Sequence, residues 1–499
     1  MLSGHRHAVS VIHRPVCRRY NFQFHNSPLR RKAIRHFHGL TCRNSPQRIG
    51  GLKSTAKRPF TRYHFVIPCL ALAPPLVANS SFSTNATQNA EHEPLPPTFK
   101  EICSLAPVFA ADAENVEIIN EPKQFFNAIE NGIESAKTHI VLASLYLGAE
   151  EGRLIDALRK SLSDPARPDL RVTVLIDYFR GTRGPGNTSV SLLYPLLRDF
   201  PDRVEVSLYH TPNFGGIAEK LCPPRFNEGF GLQHIKVYMF DDDVILSGAN
   251  LNTDYFVNRQ DRYILFRQNA IMRDYYRELV QTISSFSFTL SSNTTPNSNS
   301  TFQPILTAPP KLVDNRDEFR SDASTTMHSF CRRWYQQTDS LRSRVSQSLQ
   351  SGEGLKGAKL NTVIMPVIQM GQLGVQQDSK MMTKLLGLMG QEGSAQQGNM
   401  EGNAVGWTVH LSSGYLNFPA LFGDLIINSR AVYNILTSAP EANGFYGSKG
   451  FSKYLPAAYT YLEKLFLTQA RTAGRGEDEV IVHEYHRPGW TFHAKGANA

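Results

Sequence analysis

Two histidine–lysine pairs, each split by one residue, are the side chains of this sequence best suited to chemistry. His234 and Lys236 lie in "LQHIKVYMFDDDVILSGANLNTDYFVNRQDRYILF", and His493 and Lys495 in "WTFHAKGANA". In a strand, alternate side chains share a face, so each pair presents an imidazole beside an ammonium. That combination suits a phosphate ester: the ammonium neutralises non-bridging oxygens while the imidazole attacks or moves a proton. Two such strands facing across a pseudo-twofold axis would set two histidines on opposite sides of one phosphorus. One would attack in line and the other would protonate the leaving oxygen. Asp241 follows the first pair at a turn, and Ser247 and Asn250 come after the next apolar run. A metal site built on His483, His486 and His493 is not expected.

The elements that must position these residues alternate between apolar runs and helical periodicity. "HIVLASLYLG" (His139–Gly148), "LRVTVLIDYF" (Leu170–Phe179) and "DRVEVSLYH" read as strands, and "EEGRLIDALRKSLSD" as a helix. Alternating strands and helices predict an α/β fold with a mostly covered sheet. The pattern then recurs. "VHLSSGYLNF" (Val409–Phe418) aligns with the first strand so that Leu142, Ser144, Tyr146 and Leu147 match Leu411, Ser413, Tyr415 and Leu416. The tyrosines are 269 residues apart and the histidines 259, which predicts a duplicated lobe. The first lobe is expected over 99–285 and the second over 314–499. Between them, 286–313 is rich in Ser, Thr, Asn and Pro and reads as a low-complexity linker. The Gly-, Gln- and Met-rich stretch 376–403 reads as a mobile insertion within the second lobe.

The formal charge of +10 sits in the N-terminus. Residues 1–90 carry 14 Lys and Arg and no acidic side chain, leaving 39 basic and 43 acidic groups in the other 409 residues. A body of net charge −4 argues against nucleic acid as partner. An Arg-rich, Ser-rich, acid-free start is the composition of a mitochondrial presequence. The run "FVIPCLALAPPLV" (Phe65–Val77) is short and broken by Pro68, Pro74 and Pro75, so it does not predict a membrane span. Cys17, Cys42 and Cys69 fall in the expected presequence, and Cys103, Cys222 and Cys331 are far apart, so neither a disulfide framework nor a zinc site is indicated.

His234, Lys236 and Asp241 match the His-x-Lys-x4-Asp motif of the phospholipase D superfamily in full, and "SGAN" (Ser247–Asn250) resembles its downstream element. Beyond the motif, "LIDYFRGTRG", "PVIQMGQLGV", "SSGYLNF", "APEANGFYGSKGFSKYLPAAYTYLE" and "WTFHAKG" resemble the mitochondrial CDP-diacylglycerol–glycerol-3-phosphate 3-phosphatidyltransferase family over most of residues 99–497. The resemblance implies duplicated phospholipase D-like lobes, each a mixed sheet flanked by helices. It implies transfer of a phosphatidyl group from CDP-diacylglycerol to glycerol 3-phosphate, the first committed step of cardiolipin synthesis, without a cofactor or metal.

Carried over residue by residue, the resemblance makes His234 the nucleophile that forms a phosphatidyl-histidine. His493 becomes the acid and then the base, with the two roles open to reversal. Lys236 and Lys495 hold phosphoryl oxygens with help from Asn250, and Asp241 orients neighbours. An anionic acceptor calls for a cationic loop, for which Arg180 and Arg183 in "DYFRGTRGPG" are the candidates and Lys449 a weaker one. The implied setting is peripheral association with the mitochondrial inner membrane, matrix side; oligomeric state is left open. A phospholipase D-type hydrolase and a non-catalytic lipid-binding protein are the alternatives. The latter arises because only Ala497, Asn498 and Ala499 follow "HAKG". The second lobe is therefore expected to be truncated, either in the sequence as given or as a short form of impaired activity.

Overall fold

The computed structural model describes residues 69–71, 97–184, 186, 188–215, 222, 227, 229–296, 302–351, 362–391 and 406–499. The basic N-terminal segment lies outside them except for a short strand, β1 (Cys69–Ala71). With β2 (Phe109–Ala111), β1 flanks β13 (Thr362–Pro366) in a small antiparallel sheet.

The main sheet is mixed and nine-stranded. It is built from β3 (Val116–Ile119), β4 (His139–Ala143), β5 (Arg171–Asp177), β6 (Val204–Tyr209), β7 (Val237–Phe240), β8 (Asp243–Ser247), β10 (Tyr263–Phe266), β11 (Phe288–Pro296) and β12 (Phe302–Thr307). Their order across the sheet is β12-β11-β6-β5-β4-β7-β8-β10-β3. The central β4, β5 and β6 run parallel, and β7 pairs antiparallel to β4. The central strands are covered on both faces, which is why they read as continuous apolar runs. On one face lie helices Pro122–Ser135, Gly152–Leu162 and Ser189–Asp199. Phe125, Ile129 and Ile133, one helical turn apart, are fully buried there. Helix Ala270–Ser284 covers the other face with Tyr275, Leu279 and Ile283.

Two readings from composition need correction. The stretch 286–313 is not a linker: β11 and β12 form a hairpin that extends the main sheet beyond β6. Among its polar residues Phe288, Leu290 and Leu306 pack on the core, and alternation of a few apolar side chains is enough for an edge hairpin. Helix Arg316–Gln337, assigned above to the second lobe, buries Phe319, Met327, Phe330 and Trp334 against the main sheet. The stretch 376–403 is not wholly an insertion either. Helix Gln377–Gln391 sets Met381, Leu385, Leu386 and Met389 in a core, while 392–403 lies outside the described residues.

A second sheet, ordered β18-β17-β16-β20, holds β16 (Thr408–Ser413), β17 (Val432–Ser438), β18 (Val480–Tyr485) and β20 (Lys495–Asn498). A hairpin of β14 (Gln369–Met370) and β15 (Val375–Gln376) precedes it in the chain. Here β16, β17 and β18 run parallel and β20 pairs antiparallel to β16. The register matches the main sheet. Ala143 faces Val237 and Ser412 faces Gly496, pairs that differ by the same 269 and 259 residues as the tyrosines and histidines. Ser144 and Ser413 each donate to the carbonyl of the tyrosine two residues on, both at 3.1 Å.

Candidate active site

The first His-x-Lys sits just ahead of a strand, not within one: 231–236 are extended coil and β7 begins at Val237. The Gln233 side chain explains the difference. Its Nε2 donates to the carbonyls of Ser144 and Leu175 at 3.1 and 3.2 Å, and its Oε1 accepts from the Ile235 N–H at 2.7 Å. One amide side chain thus takes over the pairing that a ladder would supply. Asp177, fully buried at the end of β5, accepts from the Gln233 N–H and the Arg180 N–H, each at 3.0 Å. These bonds hold the backbone on either side of His234, and Lys236 Nζ donates to the His234 carbonyl at 2.9 Å.

The second pair arrives through a two-residue parallel ladder between β9 (Arg259–Gln260) and β19 (Thr491–Phe492). The ladder continues in the bond from the His493 N–H to the Gln260 carbonyl at 2.8 Å. His493 is thereby set opposite Asp261, and its Nδ1 lies 2.7 Å from Asp261 Oδ2. Lys495 Nζ donates to the His493 carbonyl at 2.5 Å and also approaches Nδ1 at 2.7 Å. Nδ1 cannot donate to the carboxylate and accept from the ammonium at once. The carboxylate is the partner for the Nδ1–H, because it can only accept, whereas the ammonium has the His493 carbonyl as its own acceptor. Gly248 makes room for Asp261, whose carboxylate a Cβ at that position would strike. Gly414 does the same for the backbone of the second pair: its Cβ would lie 2.7 Å from the Phe492 carbonyl.

Electrostatics join the two halves. Lys236 is buried, and that burial followed by the nearby charge of Lys495 holds its ammonium well below the usual lysine range; Asp261 pulls the other way. Burial also lowers Lys495, to about 8. His493 is pushed down to about 4, first by burial and then by Lys495, against the opposing pull of Asp261. At neutral pH its imidazole is uncharged, with Nδ1–H turned to Asp261 and Nε2 left with a lone pair. Tyr255 and Tyr415 wall it edge-on, with ring centroids 5.3 and 6.0 Å away.

The other candidates divide. Arg180 stacks on Tyr146 at 4.4 Å and is one of the charges felt by Lys236, so it belongs to the site. Arg183 stands on the loop two residues beyond the short helix Tyr178–Gly181. Asn250 donates to the Tyr255 hydroxyl at 3.2 Å, and its buried Oδ1 has no hydrogen-bond partner among the described residues. Asp241 turns away. Its carboxylate accepts from the N–H groups of Lys137, Thr138 and His139 at 2.7–2.9 Å and from the Thr138 hydroxyl at 2.7 Å, so it locks the turn before β4. Lys449 is exposed.

Sequence reasoning missed Asp261, Arg259, Gln233 and Asp177. Arg259 bonds Thr491 at 3.0 Å, stacks on Tyr255 at 4.6 Å and adds to the positive charge around Lys495. No spacing rule connects Asp261 to a histidine 232 residues away. A signal for Asp177 existed in its place at the end of an apolar strand, where open α/β sites lie.

No protein-family profile matches the chain. Among curated proteins, it is 37% identical over 440 residues to the mitochondrial CDP-diacylglycerol–glycerol-3-phosphate 3-phosphatidyltransferase of Gallus gallus, covering 85% of this chain and 74% of the relative. It is 33% identical over 457 residues to the CDP-diacylglycerol–glycerol-3-phosphate 3-phosphatidyltransferase of Saccharomyces pastorianus, covering 88% and 78%. Among solved structures, the phosphatidylserine synthase of Haemophilus influenzae Rd KW20 superposes with a TM-score of 0.54 at 18% identity, covering 80% of this chain and 79% of that one.

Proposed function

The chain belongs to the family of CDP-diacylglycerol–glycerol-3-phosphate 3-phosphatidyltransferases, and from that premise we propose how its two lobes carry out the transfer. The reaction moves the phosphatidyl group from CDP-diacylglycerol to sn-glycerol 3-phosphate and releases CMP. His234 attacks the phosphorus that carries the diacylglycerol; His493, which takes up a proton at Nε2 when the anionic diphosphate binds beside it, gives that proton to the CMP oxygen as the bond from phosphorus to that oxygen breaks. The resulting phosphatidyl-histidine is then displaced. His493, now neutral, takes the proton of the acceptor hydroxyl, and the acceptor oxygen forms the new P–O bond as His234 leaves.

Lys236 and Lys495 neutralise the phosphoryl oxygens, supplying positive charge inside a buried site where it acts strongly. Asn250 assists, and Arg180 with Arg183 receives the phosphate of the acceptor. Asp261 holds the His493 tautomer through both steps. The two His-x-Lys segments are read as copies of one duplicated unit, supported by their common register. The acid-free N-terminus is read as an import signal, with work at the matrix face of the mitochondrial inner membrane and a product that feeds cardiolipin synthesis.

The observation that carries the reading is that Lys236, Lys495, Asp261 and His493 share one electrostatic environment, and His493 bonds Asp261, although two come from the middle of the chain and two from near its C-terminal end. Incubation with CDP-diacylglycerol alone, followed by quenching and peptide mass spectrometry, tests it. A phosphatidyl adduct on His234 that disappears on adding glycerol 3-phosphate is expected. An adduct on His493 would reverse the two roles, a reading favoured by its neutral, Asp261-oriented imidazole. Turnover with no adduct on either histidine would overturn the covalent route.

A further inference from the structure

Large apolar side chains exposed to solvent are scattered singly over most of the molecule, but not around the second lobe. Of eleven such side chains among the described residues, six fall between 421 and 465: Leu421, Tyr446, Phe451, Tyr454, Tyr461 and Leu465. Phe451 is 73% exposed and Tyr446 61%. On helix Leu455–Thr472 and the turn before it, Tyr454, Tyr461 and Leu465 stand at i, i+7 and i+11, which is one stripe of a helix. The opposite stripe, Pro456, Glu463, Phe466 and Ala470, is buried. Clusters of this kind mark interaction surfaces on soluble proteins.

The same segment leads directly to the catalytic histidine. Tyr459, on the inward side of the helix, packs on Tyr415 at 5.2 Å, and Tyr415 lies 6.0 Å from His493. Phe445 also packs on Tyr415, at 5.7 Å, and the next residue, Tyr446, is exposed to solvent. Exposed Lys449 and Lys453 punctuate the aromatic side chains, and Lys453 lies 5.0 Å over the Tyr454 ring.

We propose that the surface formed by 446–454 and the outer stripe of helix Leu455–Thr472 docks the enzyme on a lipid bilayer, beside the mouth of the active site. Tyrosine and phenylalanine rings with interspersed lysines match the headgroup layer, where rings lie between apolar and wet regions and ammonium groups meet lipid phosphates. The inference rests on the reading of the chain as a transferase of a membrane lipid, whose acyl chains stay in the bilayer while its diphosphate is offered to His234 and His493. Among the described residues no helix is long and apolar enough to cross a membrane, so contact through such a face would give the site access to its lipid.

The test uses the full chain, a Phe451→Ser/Tyr454→Ser/Tyr461→Ser variant and sedimentation with neutral phosphatidylcholine vesicles that contain no substrate. Neutral vesicles minimise the contribution of the basic N-terminus. The expected result is a loss of vesicle binding of roughly tenfold or more in the variant. Its melting temperature and its turnover of a short-chain, water-soluble CDP-diacylglycerol should stay unchanged. Equal sedimentation of wild type and variant would overturn the docking face, as would failure of the wild type to bind. A variant that binds vesicles normally but loses self-association in sizing would assign the face to a second copy instead. Loss of soluble-substrate turnover in the wild type would count against the transferase reading and leave the vesicle result standing.

Discussion

Asp261 and His493, separated by 232 residues in the chain, meet through a 2.7 Å hydrogen bond that joins the two sheets at the candidate active site. Both partners are buried, and the bond selects which imidazole nitrogen carries the proton. It makes the first lobe responsible for the state of the second lobe's histidine.

Replacing that carboxylate by an amide tests the dependence. Asp261→Asn keeps the shape but loses the charge that fixes the tautomer. The turnover number should fall by about 10²-fold or more, within the range of general acid–base contributions, with little change in KM. Steady-state kinetics with both substrates, alongside an unchanged circular dichroism spectrum, provide the check.

His493 also predicts a pH dependence of stability. Its proton affinity in the folded protein, near 4, lies below the ordinary 6.5 of the unfolded chain. Between those values the unfolded state binds more protons, so stability falls as pH drops from 6.5 toward 4. The loss should amount to a few kcal/mol at the acid end, from this group alone. Thermal melts across that window should show the slope, and His493→Gln should flatten it. An identical slope in the variant would reject the assignment.

Asp241 should behave differently from its motif partners. It spends its carboxylate on three backbone N–H groups and one hydroxyl before β4, and its own backbone is left-handed at φ 51°. Those bonds hold its carboxyl below the usual range against the opposing effect of its own partial burial. Asn tolerates the same backbone, so Asp241→Asn removes the charge and turns one accepting oxygen into an NH2 that faces a backbone N–H. About 1–3 kcal/mol of stability should be lost while the turnover number of the folded enzyme stays within a few-fold. Denaturant unfolding and kinetics on one preparation separate the two effects.

Arg180 is expected to act on the acceptor. Arg180→Ala should raise KM for glycerol 3-phosphate by roughly 10- to 100-fold, the value of a charge-assisted hydrogen bond, and leave adduct formation with CDP-diacylglycerol intact. A rise in KM for the lipid instead would move Arg180 to the donor side of the site.

Much of this was written in local pattern. The strands His139–Ala143 and Arg171–Asp177 announce themselves because a sheet covered on both faces needs uninterrupted apolar residues. Both His-x-Lys pairs, and the two offsets that relate them, were visible because each is a short-range feature, and the sheets adopt the register those offsets require. Composition misled at 286–313, where a few apolar side chains outweigh many polar ones once an open sheet edge lies beside them. The Asp261–His493 bond, the Gln233 bridge ahead of β7 and the turning-away of Asp241 were decided by tertiary structure alone. A hydrogen bond depends on position and direction in space, and residues 232 apart acquire those only when the lobes close on one another.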